Sequence, residues 1–201
     1  MTRYDHGVLG DAVEWGTLRL GLEGGGAVAL RLPQTRVFED LAPRLVDLGG
    51  QVAALVVETD LSLGARVALY GPDGVIAAGP FIGQRHRWLA PVGAGDLDGD
   101  GLTEIAYVDR PHLARVLRVW RYVPGNPDLQ PVAHLAGFTN HRLGEDRITG
   151  GLRDCGAGPE MVLPGADWAR LMAVRLVGGT LIATDIGPHD AAALTRALTC
   201  R

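Results

Sequence analysis

Hydrophobic and polar positions alternate in short runs along most of the chain, and Gly, Pro and Asp interrupt the runs at close intervals. Windows such as "ALVVETD" from Ala54, "ARVALYG" from Ala65, "EIAYVDR" from Glu104 and "RVLRVWR" from Arg115 are rich in β-formers and bounded by turn residues. That pattern predicts short strands joined by tight turns. One stretch reads differently. "PHDAAALTRALTC" from Pro188 sets Ala191, Leu194 and Leu198 on one helical face behind Asp190 as a cap, which predicts a helix within 188–200.

The strand windows repeat. "ALVVETD" lies over "EIAYVDR", and "ARVALYG" over "RVLRVWR", at an offset of 50 residues. Upstream, "LAPRLVDLGG" from Leu41 matches "LAPVGAGDLDGDG" from Leu89, with the shorter copy missing turn residues. A more decayed copy begins "NHRLGEDRITGG" at Asn140 and continues in "ARLMAVRLV" from Ala169; a shortened one begins at His6. The single domain, 1–201, therefore divides into copies at roughly 6–36, 37–84, 85–138 and 139–187. In the third of these the strands are expected near Arg87–Gly95, Glu104–Arg110, Val116–Val123 and Pro131–Leu135. A four-stranded antiparallel sheet repeated radially is a propeller blade, and such sheets bury both faces only by stacking. The expected fold is all-β, with about four propeller-like blades in a ring or an open arc. A two-sheet β-sandwich is the rival reading.

Composition narrows the function classes. The chain has 201 residues, 47% hydrophobic and 21% charged, within the globular range. A net charge of −4 argues against a nucleic-acid surface, and no apolar run is long enough to span a bilayer. All 19 basic residues are arginine, so chemistry that needs a P-loop lysine or a Schiff-base lysine is excluded. The N-terminal residues carry no signal-peptide apolar region, and a mature exported domain would read the same way. Cys155 and Cys200 lack metal-site spacing; a bridge between them would tie the C-terminus to a loop and place the protein in a periplasm or outside the cell.

The densest chemistry lies in "GAGDLDGDGLTEIAYV" from Gly93. Asp96, Asp98, Asp100 and Glu104 occupy positions 1, 3, 5 and 9 of a loop, and Leu102 can offer its carbonyl at position 7. Carboxylates this close repel unless a cation sits among them. An all-oxygen set suits Ca²⁺, whereas zinc would need His or Cys. An EF-hand is excluded, because Tyr107 stands where its bidentate Glu belongs and a strand follows rather than a helix.

This loop resembles that of the FG-GAP or VCBS repeat, known from integrin α-subunit propellers and many exported bacterial proteins. The resemblance covers roughly residues 37–187. It implies one structural calcium held by Asp96, Asp98, Asp100, Glu104 and the Leu102 carbonyl. The other copies depart from it: Gly49 and Gln51 follow Asp47 where acids belong, and the last copy keeps only Asp154 and Glu160.

A second cluster emerges when the copies are overlaid. His6, His86 and His141 each precede a first strand, and Arg87 and Arg142 follow two of them. Tyr4, Trp88, Asp109, Arg110 and His112 fall at nearby strand ends or turns. A pocket for an anionic or sugar-like ligand is one reading, and a hydrogen-bond network between blades is the other. No recognised catalytic motif is present. The expected function is an exported, noncatalytic calcium-binding module for an unidentified protein or glycan partner. The alternative is a periplasmic enzyme or lectin that uses the His/Arg cluster.

Overall fold

Three large antiparallel sheets follow one another along the chain in the computed structural model, which describes residues 2–10 and 13–201. Ahead of them, β1 (Thr2–Arg3) pairs with β2 (Val13–Glu14), and β3 (Thr17–Gly21) forms a hairpin with β4 (Ala27–Arg31). The first sheet comprises β5 (Arg36–Phe38), β6 (Arg44–Asp47), β7 (Val52–Asp60), β8 (Gly64–Gly71) and β9 (Gly74–Ala78), with β5 and β6 both pairing along the long β7. The second is a meander of β10 (Leu89–Gly95), β11 (Thr103–Asp109), β12 (Val116–Tyr122) and β13 (Gln130–Ala136). The third runs through β14 (Gly151–Asp154), β15 (Pro159–Pro164), β16 (Arg170–Val177) and β17 (Thr180–Pro188) before α1 (Ala191–Leu198).

The alternation of side chains across each strand explains how the sheets stack. Strand β11 is buried at every position. Its Ile105 and Tyr107 enter one apolar cluster with Leu55, Val57 and Leu69 of the first sheet, while Ala106 and Val108 enter another with Met161, Leu163 and Val174 of the third. The middle sheet is thus apolar on both faces because both faces are covered. That is why "EIAYV" reads as an almost unbroken hydrophobic run.

The end sheets need covers of their own. On the outer face of the first sheet, Ala54, Val56 and Ala68 pack against Leu18, Leu20 and Leu30 of the β3–β4 hairpin. On the outer face of the third, Val162 and Leu171 pack against Leu194, Ala197 and Leu198 of α1. Among the described residues, the apolar clusters run from hairpin to helix in chain order and none joins the two ends. The fold is three complete blades capped by a hairpin and a helix, as terminal units of repeat arrays are.

Structural repetition underlies the sequence repetition. Ladder irregularities fall at Leu69/Tyr70 between β8 and β9 and at Val119/Trp120 between β12 and β13, positions fifty residues apart. Asp47, Asp96 and Asp154 each fold a turn by accepting a backbone N–H, from Gly50 at 2.7 Å, Gly99 at 2.7 Å and Gly156 at 2.8 Å. Buried side chains also tie each blade to the one before. The Trp88 indole donates to the Glu39 carbonyl at 2.9 Å, and the Asn140 amide donates to the Ala90 carbonyl at 3.1 Å.

The helix forms behind its expected cap, with the Asp190 carboxylate accepting from the Ala193 amide at 2.7 Å. Leu194 and Leu198 of the expected face pack inward, but Ala191 is exposed and Ala197 is the buried alanine. The disulfide joins Cys155, in the β14–β15 turn, to Cys200 just past the helix. Among the described residues, no helix is long and apolar enough to cross a membrane.

Candidate functional site

The β10–β11 turn carries the acidic loop, and its local geometry follows from its sequence. Asp96 ties the turn together: Oδ1 accepts from the Gly99 and Asp100 amides at 2.7 and 3.1 Å, and Oδ2 from the Gly101 amide at 2.9 Å. Gly99 and Gly101 supply the left-handed backbone, at φ +82° and +86°, that lets these amides turn inward. Asp100 Oδ1 accepts from the Leu102 amide at 2.9 Å. Leu97, buried at the head of the loop, donates its amide to Glu104 Oε2 at 2.8 Å.

Carboxylate oxygens of Asp96, Asp98 and Glu104 all lie within 4.8 Å of one another. Two oxygens on opposite sides of a Ca²⁺ stand about 5 Å apart, so this spacing fits a shared ion. Asp100 lies beside this triad rather than within it. Glu104 is fully buried, whereas Asp96 and Asp98 are exposed.

A cation from the chain itself already reaches the cluster. Arg121, on β12, places Nε 2.6 Å from Glu104 Oε1, Nη2 2.6 Å from Asp98 Oδ2 and Nη1 2.9 Å from Asp100 Oδ2. Burial pushes the Glu104 carboxyl above its usual range, opposed by the Leu97 amide and by Arg121. The hydrogen bond to Glu104 in turn raises the Arg121 guanidinium. One guanidinium thus answers three carboxylates, which leaves the cluster with excess negative charge.

The histidines divide between two environments. His6 and His86 stack with ring centroids 5.1 Å apart, and both line a cavity with Arg87, Arg110 and His112. His141 lies beneath, 1% exposed, edge-on to Trp88 and with Nδ1 3.0 Å from His112 Nε2. Arg142 is elsewhere: its guanidinium sits over the Trp168 ring at 4.4 Å, lining a separate cavity with His189 and Leu194. Overlaying the copies sets Arg142 equivalent to Arg87, but only Arg87 lines the cavity of His6 and His86.

Two contributors lay outside the expected set. Arg121 is drawn in by ladder register, since it stands opposite Glu104 across β11 and β12. Glu39, fully buried, accepts from Thr59 Oγ1 at 2.6 Å and meets His6 Nδ1 at 2.5 Å. Register counted back from the turn between "EIAYV" and "RVLRVWR" would have exposed the first. Nothing in the sequence flags the second. No protein family, curated protein or solved structure matches the chain.

Proposed function

We propose that this chain is a noncatalytic, exported interaction module of the FG-GAP or VCBS kind, rigidified by one calcium ion. Asp96, Asp98, Asp100 and Glu104 supply the carboxylates, and Leu102 its carbonyl. The convergence of the Asp96, Asp98 and Glu104 oxygens within 4.8 Å, in a turn folded by its own amides, is the observation that carries the reading. Bound Ca²⁺ would take up the charge that Arg121 alone leaves uncompensated, with the guanidinium turning toward solvent to admit it. The disulfide supports an oxidising compartment. The role is to hold a stack of sheets rigid so that loops and blade edges can engage a protein or glycan partner.

Thermal melts with added calcium and with chelator test the proposal. At a calcium concentration 100 times its dissociation constant, linkage adds about 2.7 kcal/mol of stability. Asp98→Ala should abolish most of that gain, whereas Asp47→Ala in the equivalent turn of the first sheet should retain it. Equal calcium response in the parent and both variants would place the metal elsewhere or nowhere.

A further inference from the structure

We infer that the cavity lined by His6, His86, Arg87, Arg110 and His112 binds a small carboxylic acid with an apolar body. Four separate chain segments build it: the N-terminal segment, the link into β10, the β11–β12 turn and the segment ahead of β14. It is an open cavity of about 260 Å³, just below the usual range for a ligand site and sufficient for one ring and a carboxylate.

Its charge is unbalanced toward the positive. Arg110 and Arg118 both donate to the single carboxylate of Asp109, at 2.8 to 2.9 Å. Arg87 is half-buried and, among the described residues, meets no carboxylate; its Nη1 donates only to the His86 carbonyl at 3.0 Å. The nearby acids are engaged: Glu39 by His6 and Thr59, Asp5 by Arg85 at 2.8 Å and His86 at 2.9 Å. An anion that enters therefore meets an unpaired guanidinium, the donor best shaped to grip a carboxylate with two parallel hydrogen bonds.

The hydrogen-bond chain beneath the cavity orients His112. The Glu145 carbonyl can only accept, so His141 carries its proton on Nε2, 2.9 Å away. As a neutral ring His141 then accepts at Nδ1, which requires His112 to donate from Nε2. Nδ1 of His112 remains as the nitrogen that gains a proton. Burial first, then His141, pushes the His112 ring down to about 4. An anion beside it would oppose both effects.

Apolar surface selects the rest of the ligand. Val8 and Trp88, at 1% and 3% exposure, form the floor, while Leu113 and Leu143 stand at the rim 64% and 70% exposed. A phosphate alone leaves these leucines wet, and a neutral sugar leaves the guanidinium unpaired. The backbone here is also strained: His86 and Arg110 hold φ at +55° and +47°, where side-chain-bearing residues rarely stay without compensation.

The test is a titration of ¹⁵N-labelled protein with phenylacetate and with phenylacetamide, read by NMR in the presence of chelator so that the calcium proposal is not involved. Phenylacetate should produce saturable shifts at the Trp88 indole, Leu113 and Leu143 and raise the pH at which His112 titrates; phenylacetamide should not. Arg87→Gln should weaken binding about tenfold, the worth of one charged hydrogen bond. Leu143→Ala, on the exposed rim, should weaken it severalfold without disturbing the fold. No saturable shift at millimolar phenylacetate, equal binding of the amide, or both variants binding like the parent would overturn the inference.

Discussion

Arg121 stands directly across the β11–β12 ladder from Glu104, with Nε 2.6 Å from Glu104 Oε1. The pair joins two adjacent strands below the acidic turn, and the same guanidinium reaches Asp98 and Asp100. A fully buried carboxylate therefore depends on one side chain for its neutralisation.

Arg121→Gln should destabilise the calcium-free protein by about 3 kcal/mol, because it strands a buried charge instead of removing a pair. Calcium should then restore more stability to the variant than to the parent, since the competing cation is gone. Urea midpoints measured in chelator and in excess calcium give both quantities. A variant as stable as the parent in chelator would show that the ion pairs are incidental.

The bridge between Cys155 and Cys200 spans a sequence separation of 45 residues. Closing a loop of that size in the unfolded chain is worth about 4 kcal/mol in the chain-entropy model. Replacing both cysteines with serine should lower the urea midpoint accordingly and speed amide exchange in α1 before it does so in β11. Unchanged exchange in the helix would mean that its apolar face alone holds it.

Gly93 marks a close approach of the second and third blades. A Cβ placed there would fall 2.6 Å from Leu152 Cγ. Gly93→Ala should therefore cost about 1–3 kcal/mol through overpacking. Gly93→Ala combined with Leu152→Val should recover part of it, and thermal midpoints of the single and double variants decide the matter. Additive losses would show that the two positions do not compete for space.

Acid should weaken the fold through its neutral histidines. Burial pushes His112 from the usual 6.5 down to about 4, and burial lowers His141 as well. Below the usual histidine range the unfolded chain takes up protons that the folded one refuses. The stabilisation is complete above 6.5 and is lost as pH falls toward 4. Asp40 and Glu104, raised by burial, act in the opposite sense, so the comparison must be with a variant. His112→Gln should flatten the decline in urea midpoint across that window; an identical slope would assign the effect to other groups.

The sequence shows what short-range order controls and hides what register and insertion control. Strands of the second sheet lie within two residues of the limits expected from alternation, because β10 to β13 form a local meander. The Asp96 turn is legible because its carboxylate bonds only to amides three to five residues ahead. Arg121 is legible only through register: it lies 17 residues from Glu104, and counting pairs back from the β11–β12 turn is what brings them together. The shortened N-terminal copy forms a two-stranded hairpin used as a cover. Its Leu18, Leu20 and Leu30 bury one face of the neighbouring sheet, while β2, the other described strand ahead of that hairpin in the copy, pairs only with β1.

The Cys155–Cys200 bridge also sets how the molecule would carry mechanical load. Tension applied at Arg201 passes through the sulfurs into the β14–β15 turn and bypasses α1, β16 and β17. At about 3.4 Å per residue, the 45-residue separation conceals roughly 150 Å of contour length from a stretching force. The outermost blade would therefore be pulled from its inner turn, against the ladder between β14 and β15, while its distal strands and helix remain slack. A reducing environment would release that hidden length and convert a stiff terminus into an extensible one.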